Sequence, residues 1–218
     1  MKKQKHTNIA LIISAILIAL IAFKLYQYNK SEGSRTQPLQ QNIEIRENDI
    51  IFGSDQAPLT MMVFSDYNCK YCRRFFLEVY PKIQEHYIDT GKLKVIIKLV
   101  VLREIPELMQ ATQAVMCANQ FASFEEIHQL LTFNIQVIYT EDFQSLLDDM
   151  ITVNTDMARC ILKNQKYRYI KQNNTDFKNN DLAGTPTFVI GDKIYPGYRN
   201  FEKFESIFQK HLSNATKE

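Results

Sequence analysis

The sequence predicts an α/β fold, in which helices cover one central sheet and an all-helical subdomain is inserted into it. Three observations predict this class. Apolar runs of strand length alternate with segments of helical periodicity on both sides of the middle region. The middle region itself contains successive helical patterns with no strand pattern between them. At 218 residues and 45% hydrophobic composition, the chain can bury one ordinary core.

The N-terminal segment is typical of an export signal or a membrane anchor. Three lysines within the first five residues precede an uncharged apolar run, 9–23. Extended to Tyr26, the run approaches the roughly 20 residues that a helix needs to cross a bilayer. Because no A-x-A-like cleavage pattern follows, we expect an uncleaved anchor at 9–26 rather than a cleaved signal peptide. The N-terminal lysines are expected to stay on the cytoplasmic side of the membrane. The rest of the chain would then be periplasmic or otherwise extracytoplasmic, attached to the inner membrane. A buried helix of a cytosolic protein is the alternative.

A polar stretch with Gly33 and Pro38 separates this segment from the folded region and is typical of a flexible tether. The expected parts of the chain are a signal-anchor or signal peptide at 1–26, a linker at 27–42, the first part of the α/β fold at 43–103, the helical insertion at 104–170 and the second part of the fold at 171–218.

The sequence of the first part, 43–103, predicts a strand–helix–strand unit. Residues 43–53 favour a short strand and a turn, and LTMMVFSD (59–66) is apolar nearly throughout, as in a strand covered on both faces. From Lys70 onward the apolar residues recur at helical spacing, and Pro81 predicts a kink in that helix. A second buried strand at 92–102 completes the unit, with a right-handed crossover.

Helical patterns predict the insertion, and the sheet resumes after it. The insertion helices are expected at 106–120, 123–133, 141–151 and 156–164. A further helical or loop stretch (165–180) leads to TPTFVIG (185–191) and KIYPGY (193–198), which predict an antiparallel hairpin. A closing helix is expected at 201–212.

Two cysteines, Cys69 and Cys72, stand where the first apolar strand gives way to a helix. A cysteine at a helix N-terminus faces unpaired N–H groups and the positive end of the helix dipole, which lower the pKa of its thiol. A preference for the thiolate stabilises the reduced pair and makes its disulfide a stronger electron acceptor. The two-residue spacer brings the second sulfur one helical turn away. We therefore predict that Cys69 attacks and Cys72 resolves the mixed disulfide.

A CxxC pair also occurs in zinc sites and in structural disulfides. Structural zinc usually needs a second close pair of ligands. Cys117 and Cys160 are 43 positions apart, and no histidine stands at a zinc-like spacing beside them, so we expect no metal. A purely structural bond between Cys69 and Cys72 would close too short a loop to constrain the unfolded chain.

Two motifs together carry a resemblance to a known family. VFSDYNCKYCRRF, the helical insertion and GTPTFVIGDKIYPGY resemble the DsbA-like thiol:disulfide oxidoreductases, which have the thioredoxin fold, over roughly Ile50 to Leu212. The resemblance implies a cis peptide bond between Thr185 and Pro186, packed against the redox cysteines. It also implies that the Thr185 backbone binds an extended substrate segment in a strand-like manner.

Residues around Cys69 add further expectations, and some of them depart from the family's pattern. Tyr67 and Tyr71, which flank Cys69, are candidates for substrate contact. The spacer is Lys70-Tyr71 rather than Pro-His, and Val63 stands where some relatives carry a buried acid. Lys70 favours the Cys69 thiolate whereas Asp66 opposes it, so the resemblance does not fix the redox potential.

The remaining cysteines, Cys117 and Cys160, lie in apolar helical contexts within the insertion. As in some relatives, we expect them to form a second, structural disulfide. Two unpaired buried thiols that pack as small apolar groups are the alternative.

The resemblance implies an oxidase that needs no cofactor. It would donate the Cys69–Cys72 disulfide to reduced unfolded exported proteins and be reoxidised by a quinone-linked membrane partner. A disulfide reductase or isomerase is one alternative, and a non-catalytic envelope chaperone or metal-delivery module is another. A net charge of +2 without an arginine-rich stripe argues against nucleic-acid binding.

Overall fold

The computed structural model describes residues 16–24, 37–120 and 124–215. The chain forms two units, Met1–Thr36 and Gln37–Glu218. In the first unit, 16–24 are helical (α1), and the large apolar side chains of this helix are exposed. The remainder of the expected anchor lies outside the described residues. None of the described helices combines the length and the hydropathy needed to cross a bilayer.

The second unit is built on one mixed sheet, which has six strands within the described residues. The strands are β1 (Gln37–Pro38), β2 (Ile50–Phe52), β3 (Leu59–Ser65), β4 (Leu93–Leu99), β5 (Thr187–Ile190) and β6 (Lys193–Pro196). Their order across the sheet is β1-β6-β5-β3-β4-β2. β3 and β4 are parallel, and the other neighbouring pairs are antiparallel. The central strand β3 is buried or half-buried throughout, which explains its apolar sequence.

Helices follow the predicted order along the chain. They are α2 (Lys70–Glu78), α3 (Tyr80–Ile83) with a π-helical continuation (Gln84–Ile88), α4 (Pro106–Asn119), α5 (Phe124–Phe133), a 3-10 turn (Ile135–Tyr139), α6 (Glu141–Val153), α7 (Thr155–Leu162), α8 (Tyr167–Asn179) and α9 (Phe201–Ala215). Pro81 lies in the first turn of α3, so the predicted kink is an interruption between two helices.

The observed elements shift two of the expected boundaries. β1 lies inside the stretch expected to be a linker, because Gln37 pairs with Ile194 at the edge of the sheet. α8 runs without a break across the boundary expected at residue 170. Its Asn173 and Asn174 side chains are buried and bond the backbone that leaves β4, so this helix packs against the sheet.

Helices pack on both faces of the sheet. On one face, the Phe75 ring of α2 lies 4.8 Å from Phe188 of β5, which in turn lies 4.7 Å from Phe204 of α9. On the other face, Phe64 of β3 meets Phe177 of α8, with ring centroids 5.8 Å apart. β3 is therefore packed on both faces, and the turn that follows it, 66–69, leads into α2.

The insertion is organised around α4, whose side chains are mostly buried. Cys117 of α4 and Cys160 of α7 form a disulfide with an S–S distance of 2.03 Å. α5 packs against both α4 and α2, so the insertion reaches the helix that begins beside the CxxC pair.

Candidate active site

The turn between β3 and α2 presents the first cysteine at a helix start. Cys69 is the N-cap of α2, with extended backbone dihedrals of φ −88° and ψ 112°. Its N–H donates to the carbonyl of Asp66 at 3.0 Å, and its own carbonyl accepts from the N–H groups of Cys72 and Arg73 at 3.1 and 3.2 Å. The Cys69 side chain therefore lies at the start of α2, where the N–H groups of Tyr71 and Cys72 are directed at its sulfur.

The Thr185–Pro186 turn, which comes just before β5, lies against the same sulfur. The Thr185–Pro186 peptide bond is cis, and Cys69 Sγ lies 3.0 Å from the carbonyl oxygen of Thr185, to which the thiol donates. Cys69 and Thr185 are both half-buried, whereas Pro186 is buried. The fold thus brings together two motifs that lie 116 positions apart in the sequence.

Several donors lower the pKa of the Cys69 thiol to about 5. The largest contribution is a hydrogen bond from the Cys72 thiol, followed among the favourable ones by the Thr185 hydroxyl and the N–H groups of Cys72 and Tyr71. Partial burial opposes these effects. Two side-chain donors, one from the second cysteine and one from Thr185, therefore add to the effect of the helix start on the pKa of Cys69.

Cys72 has the opposite environment. Its side chain is 1% exposed, and burial raises the pKa of its thiol well above the ordinary value. The hydrogen bond to Cys69 and the negative charge on that sulfur raise it further. The Ser65 hydroxyl and the Asp66 N–H, both directed at the Cys72 sulfur, offset only part of this effect.

Asp66 fixes the turn that carries the pair. Its carboxylate accepts from the Asn68 N–H at 2.8 Å and from the Leu102 N–H at 3.2 Å, so it ties the β3–α2 turn to the segment after β4. Burial is the main cause that raises the pKa of this carboxyl, and the Cys69 charge adds to it. Val63, at the position where some relatives carry a buried acid, is fully buried among apolar side chains. Asp66 is instead an acid that lies close to Cys69.

The two tyrosines that flank Cys69 differ in accessibility. Tyr71 is 46% exposed and lies beside Tyr198 of the segment after β6, with ring centroids 6.5 Å apart. Tyr67 is 4% exposed, and its hydroxyl bonds His128 Nδ1 of α5 at 2.7 Å. The expectation that Tyr67 contacts substrate is therefore wrong, because the insertion covers it.

Ser65 and His128 are site neighbours that the sequence reading missed. Ser65 ends a mostly apolar strand four residues before Cys69, and this polar position was an available signal. His128 gave no signal, because only the tertiary packing of α5 brings it to Tyr67. Among the described residues, no group of three or more His, Cys, Asp or Glu side chains is arranged to hold a metal ion.

Comparisons with known proteins agree with this geometry. The family model described as Thioredoxin matches residues 46–210. Disulfide bond formation protein D of Bacillus subtilis is 25% identical over 170 residues, which cover 74% of this chain and 76% of the relative.

Solved structures give the same fold. Wolbachia pipientis α-DsbA1 superimposes with a TM-score of 0.67 at 19% identity, covering 80% of this chain and 96% of that one. Chlamydia trachomatis DsbA superimposes with a TM-score of 0.63 at 25% identity, covering 82% and 98%. With its CxxC pair at the start of α2 and the Thr185-Pro186 turn beside it, the chain belongs to the thioredoxin family and is similar to the DsbA-like thiol:disulfide oxidoreductases.

Proposed function

We propose that this chain is a disulfide-donating oxidase in which Cys69 is the nucleophilic cysteine and Cys72 the resolving one. The observation that carries the proposal is the asymmetry of the pair. Cys69 is half-exposed with a pKa lowered to about 5, whereas Cys72 is buried with a raised pKa. The free energy that favours the Cys69 thiolate stabilises the dithiol and not the disulfide, so the disulfide is easily reduced by a substrate.

The reaction consists of two thiol–disulfide exchanges. A substrate thiolate attacks Cys69 Sγ, the Cys69–Cys72 bond breaks, and Cys72 leaves with the electron pair and takes up a proton, as its raised pKa favours. A second substrate thiolate then attacks the substrate sulfur of the mixed disulfide and expels Cys69 as a thiolate. The substrate loses two electrons and two protons, and the cysteine pair gains the two electrons and one proton. The other proton enters the solvent.

Three further groups would bind the substrate during these steps. The Thr185 carbonyl and the buried Pro186 border the Cys69 sulfur, and the exposed ring of Tyr71 extends the surface along α2. An extended peptide can align with the Thr185 backbone through main-chain hydrogen bonds, which are largely independent of sequence. We propose on this basis that the substrates are reduced, unfolded polypeptides.

The proposal includes a location outside the cytoplasm. The Cys117–Cys160 bond is of a kind that persists in oxidising compartments, and the apolar, exposed side chains of α1 favour contact with lipid. The relative from Bacillus subtilis carries disulfide bond formation in its name. We propose that residues 9–26 anchor the chain to the membrane, that its substrates are exported proteins and that a quinone-linked membrane partner reoxidises the pair.

A refolding assay tests the direction of catalysis. Oxidised full-length protein, held in a non-ionic detergent, is mixed with a reduced and unfolded ribonuclease, and recovery of ribonuclease activity is followed. We expect stoichiometric oxidation by the wild type and none by Cys69→Ser. Cys72→Ser has no internal disulfide to donate, so it too should oxidise no ribonuclease.

The equilibrium with glutathione separates the proposal from its alternatives. An oxidase should have a reduction potential more oxidising than the glutathione couple. A more reducing potential would assign the pair to disulfide reduction or isomerisation. If the oxidised protein exchanges no disulfide while Cys69→Ser still suppresses aggregation of the unfolded substrate, the chain is a non-catalytic chaperone.

A further inference from the structure

Two positively charged side chains lie next to Cys69. Lys70 and Arg73 follow it within four residues on α2, and the first turn of this helix contains no acidic residue. Lys70 is exposed. Arg73 is half-buried, and its Nη1 donates to the carbonyl of Tyr67, two residues before Cys69, at 2.9 Å. One cation thus adjoins Cys69 along the helix, and a second lies against the turn that leads to it.

A series of contacts connects Lys70 with the proposed substrate surface. Lys70 Nζ lies 4.9 Å from the centroid of the Tyr71 ring, and this ring lies 6.5 Å from the Tyr198 ring. Gly197, the residue before Tyr198, donates its N–H to the Pro186 carbonyl at 2.8 Å. The Lys70 ammonium group is therefore held on an aromatic ring that borders the binding site for the substrate.

The acidic side chains of this region are paired or buried. Glu78 accepts a hydrogen bond from Arg74 Nε at 2.8 Å and forms an ion pair with it. Asp66 is 5% exposed, and its carboxylate accepts from two backbone N–H groups. In the part of the chain that the structure describes, none of the ion pairs involves Lys70 or Arg73. The surface beside Cys69 therefore carries a positive charge that the protein itself does not neutralise.

We propose that the polypeptide segments preferred at this surface carry acidic side chains close to the reacting cysteine. This inference rests on the proposed function and names the class of substrate. Because Lys70 is the residue after Cys69, a carboxylate one or two residues from the substrate cysteine comes close to its ammonium group. Main-chain hydrogen bonds remain independent of sequence, so the charge gives a preference among substrates. An exposed cation acts mainly on the rate of association, and its effect weakens with salt.

A set of matched peptides tests the preference. Each contains one cysteine, flanked on both sides by glutamate, by glutamine or by lysine. Oxidised full-length protein in non-ionic detergent is mixed with each peptide at neutral pH and low ionic strength, and its reduction is followed by acid quenching and mass spectrometry. Each rate is divided by the rate of the same peptide with hydroxyethyl disulfide, an uncharged reagent, which corrects for differences in the acidity of the peptide thiols.

We expect the glutamate peptide to react about three- to tenfold faster than the glutamine peptide, and the lysine peptide to react slowest. The differences should disappear in about 1 M salt, where the screening length is about 3 Å. Any general change in the reactivity of Cys69 affects the three peptides equally, so the ratios of their rates report on charge.

Charge reversal at two lysines assigns the effect. Lys70→Glu should abolish the preference for the glutamate peptide, because the new carboxylate offsets the charge of Arg73. Lys82→Glu is the matched control and should keep the preference, since Lys82 is also exposed and lies over an aromatic ring, that of Phe201 at 5.9 Å, but is on α3.

The outcomes separate this inference from the function on which it rests. Equal corrected rates for the three peptides, or an unchanged preference in Lys70→Glu, would overturn the inference while the proposed oxidation stands. If none of the peptides reduces the oxidised protein, the proposed function fails and the inference fails with it.

Discussion

Cys69 and Cys72 are both thiols, but their surroundings lower the pKa of Cys69 and raise the pKa of Cys72. Cys69 receives hydrogen bonds from the other thiol, from the Thr185 hydroxyl and from backbone N–H groups. Cys72 is buried and faces the charge of the first sulfur. The division of roles proposed for the pair is therefore a property of its environment, supplied jointly by the start of α2 and the Thr185-Pro186 turn.

The contribution of Thr185 is testable by an isosteric change. Thr185→Val removes the hydroxyl that stabilises the Cys69 thiolate and leaves the backbone carbonyl in place. Because a hydrogen bond to a charged group contributes about 1.5–3 kcal/mol, we expect the pKa of Cys69 to rise by roughly one pH unit or more. The measurement is the thiolate ultraviolet absorbance of the reduced protein as a function of pH.

Thr175→Val is the matched control for this substitution. Thr175 is on α8, and its hydroxyl bonds the Lys171 carbonyl within the same helix, so its loss should leave the pKa of Cys69 unchanged. If both variants titrate like the wild type, the Thr185 hydroxyl has no part in the acidity of Cys69.

The sequence predicted the residues of this site unequally. Cys69 and Cys72 form a local motif, and a helix start beside a buried strand can be recognised from hydrophobic periodicity alone. The position of Thr185 beside Cys69 required the family resemblance, since nothing local relates residues so far apart in the chain. Tyr67 was misassigned because only the packing of α5 determines that it is covered.

At the scale of elements, a buried ion pair fastens the segment before β2 to β4. Lys98 Nζ lies 2.9 Å from both carboxylate oxygens of Asp49 and 2.7 Å from the Glu44 carbonyl, and both charged side chains are fully buried. Tyr169 of α8 donates to the same carboxylate. Because β4 is the parallel neighbour of β3, this cluster supports the strand that leads to the cysteines.

Removing one partner of this pair should be strongly destabilising. Lys98→Met leaves the Asp49 charge buried without its cation, and we expect a loss of about 3–5 kcal/mol in the free energy of unfolding. The double variant Lys98→Met with Asp49→Asn removes both charges and should recover much of the loss. Urea unfolding of the full-length protein measures both quantities.

Lys94→Met supplies a control on the same strand. Lys94 pairs with Asp55 at 3.5 Å, but Asp55 is 85% exposed, so this substitution should cost less than about 1 kcal/mol. Equal losses for Lys94→Met and Lys98→Met would show that burial of the Lys98 pair has no special effect.

The elements were more predictable than their boundaries. Periodicity gave the buried strands β3 and β4 and the insertion helices, because each buries a continuous apolar face. β1 has no such signal, since Gln37 and Pro38 become a strand only by pairing with β6. Whether 165–180 is a helix or a loop was ambiguous in the sequence, because the residues of α8 that face the end of β4 include buried asparagines where apolar residues would be expected.

For the whole molecule, the acidity of Cys69 links stability to pH. Because the pKa of Cys69 is lower in the folded dithiol than in the unfolded chain, its ionisation stabilises the folded state. This stabilisation is complete at pH values above the ordinary thiol pKa, near 8.5, and is lost as the pH falls through about 5. The disulfide form has no titrating thiol at this position. The stability of the reduced protein relative to the oxidised protein should therefore rise between about pH 5 and pH 8.5.

Urea unfolding of both redox forms across this pH range measures the difference. Cys72 does not cancel the trend within the window, because its raised pKa changes the balance only where an unfolded thiol would ionise, above about pH 8.5. A difference that stays flat from pH 5 to pH 8.5 would be incompatible with an acidic Cys69.

The most direct test of the account is the pH dependence of alkylation of each cysteine in the reduced full-length protein, read by peptide mass spectrometry after brief treatment with iodoacetamide. We expect Cys69 to be modified with a midpoint near pH 5 and Cys72 to remain unmodified at neutral pH. A Cys69 midpoint near 8.5, the value of a free cysteine, or equal rates for the two thiols, would contradict the claim that the fold makes one sulfur an anion and keeps the other protonated.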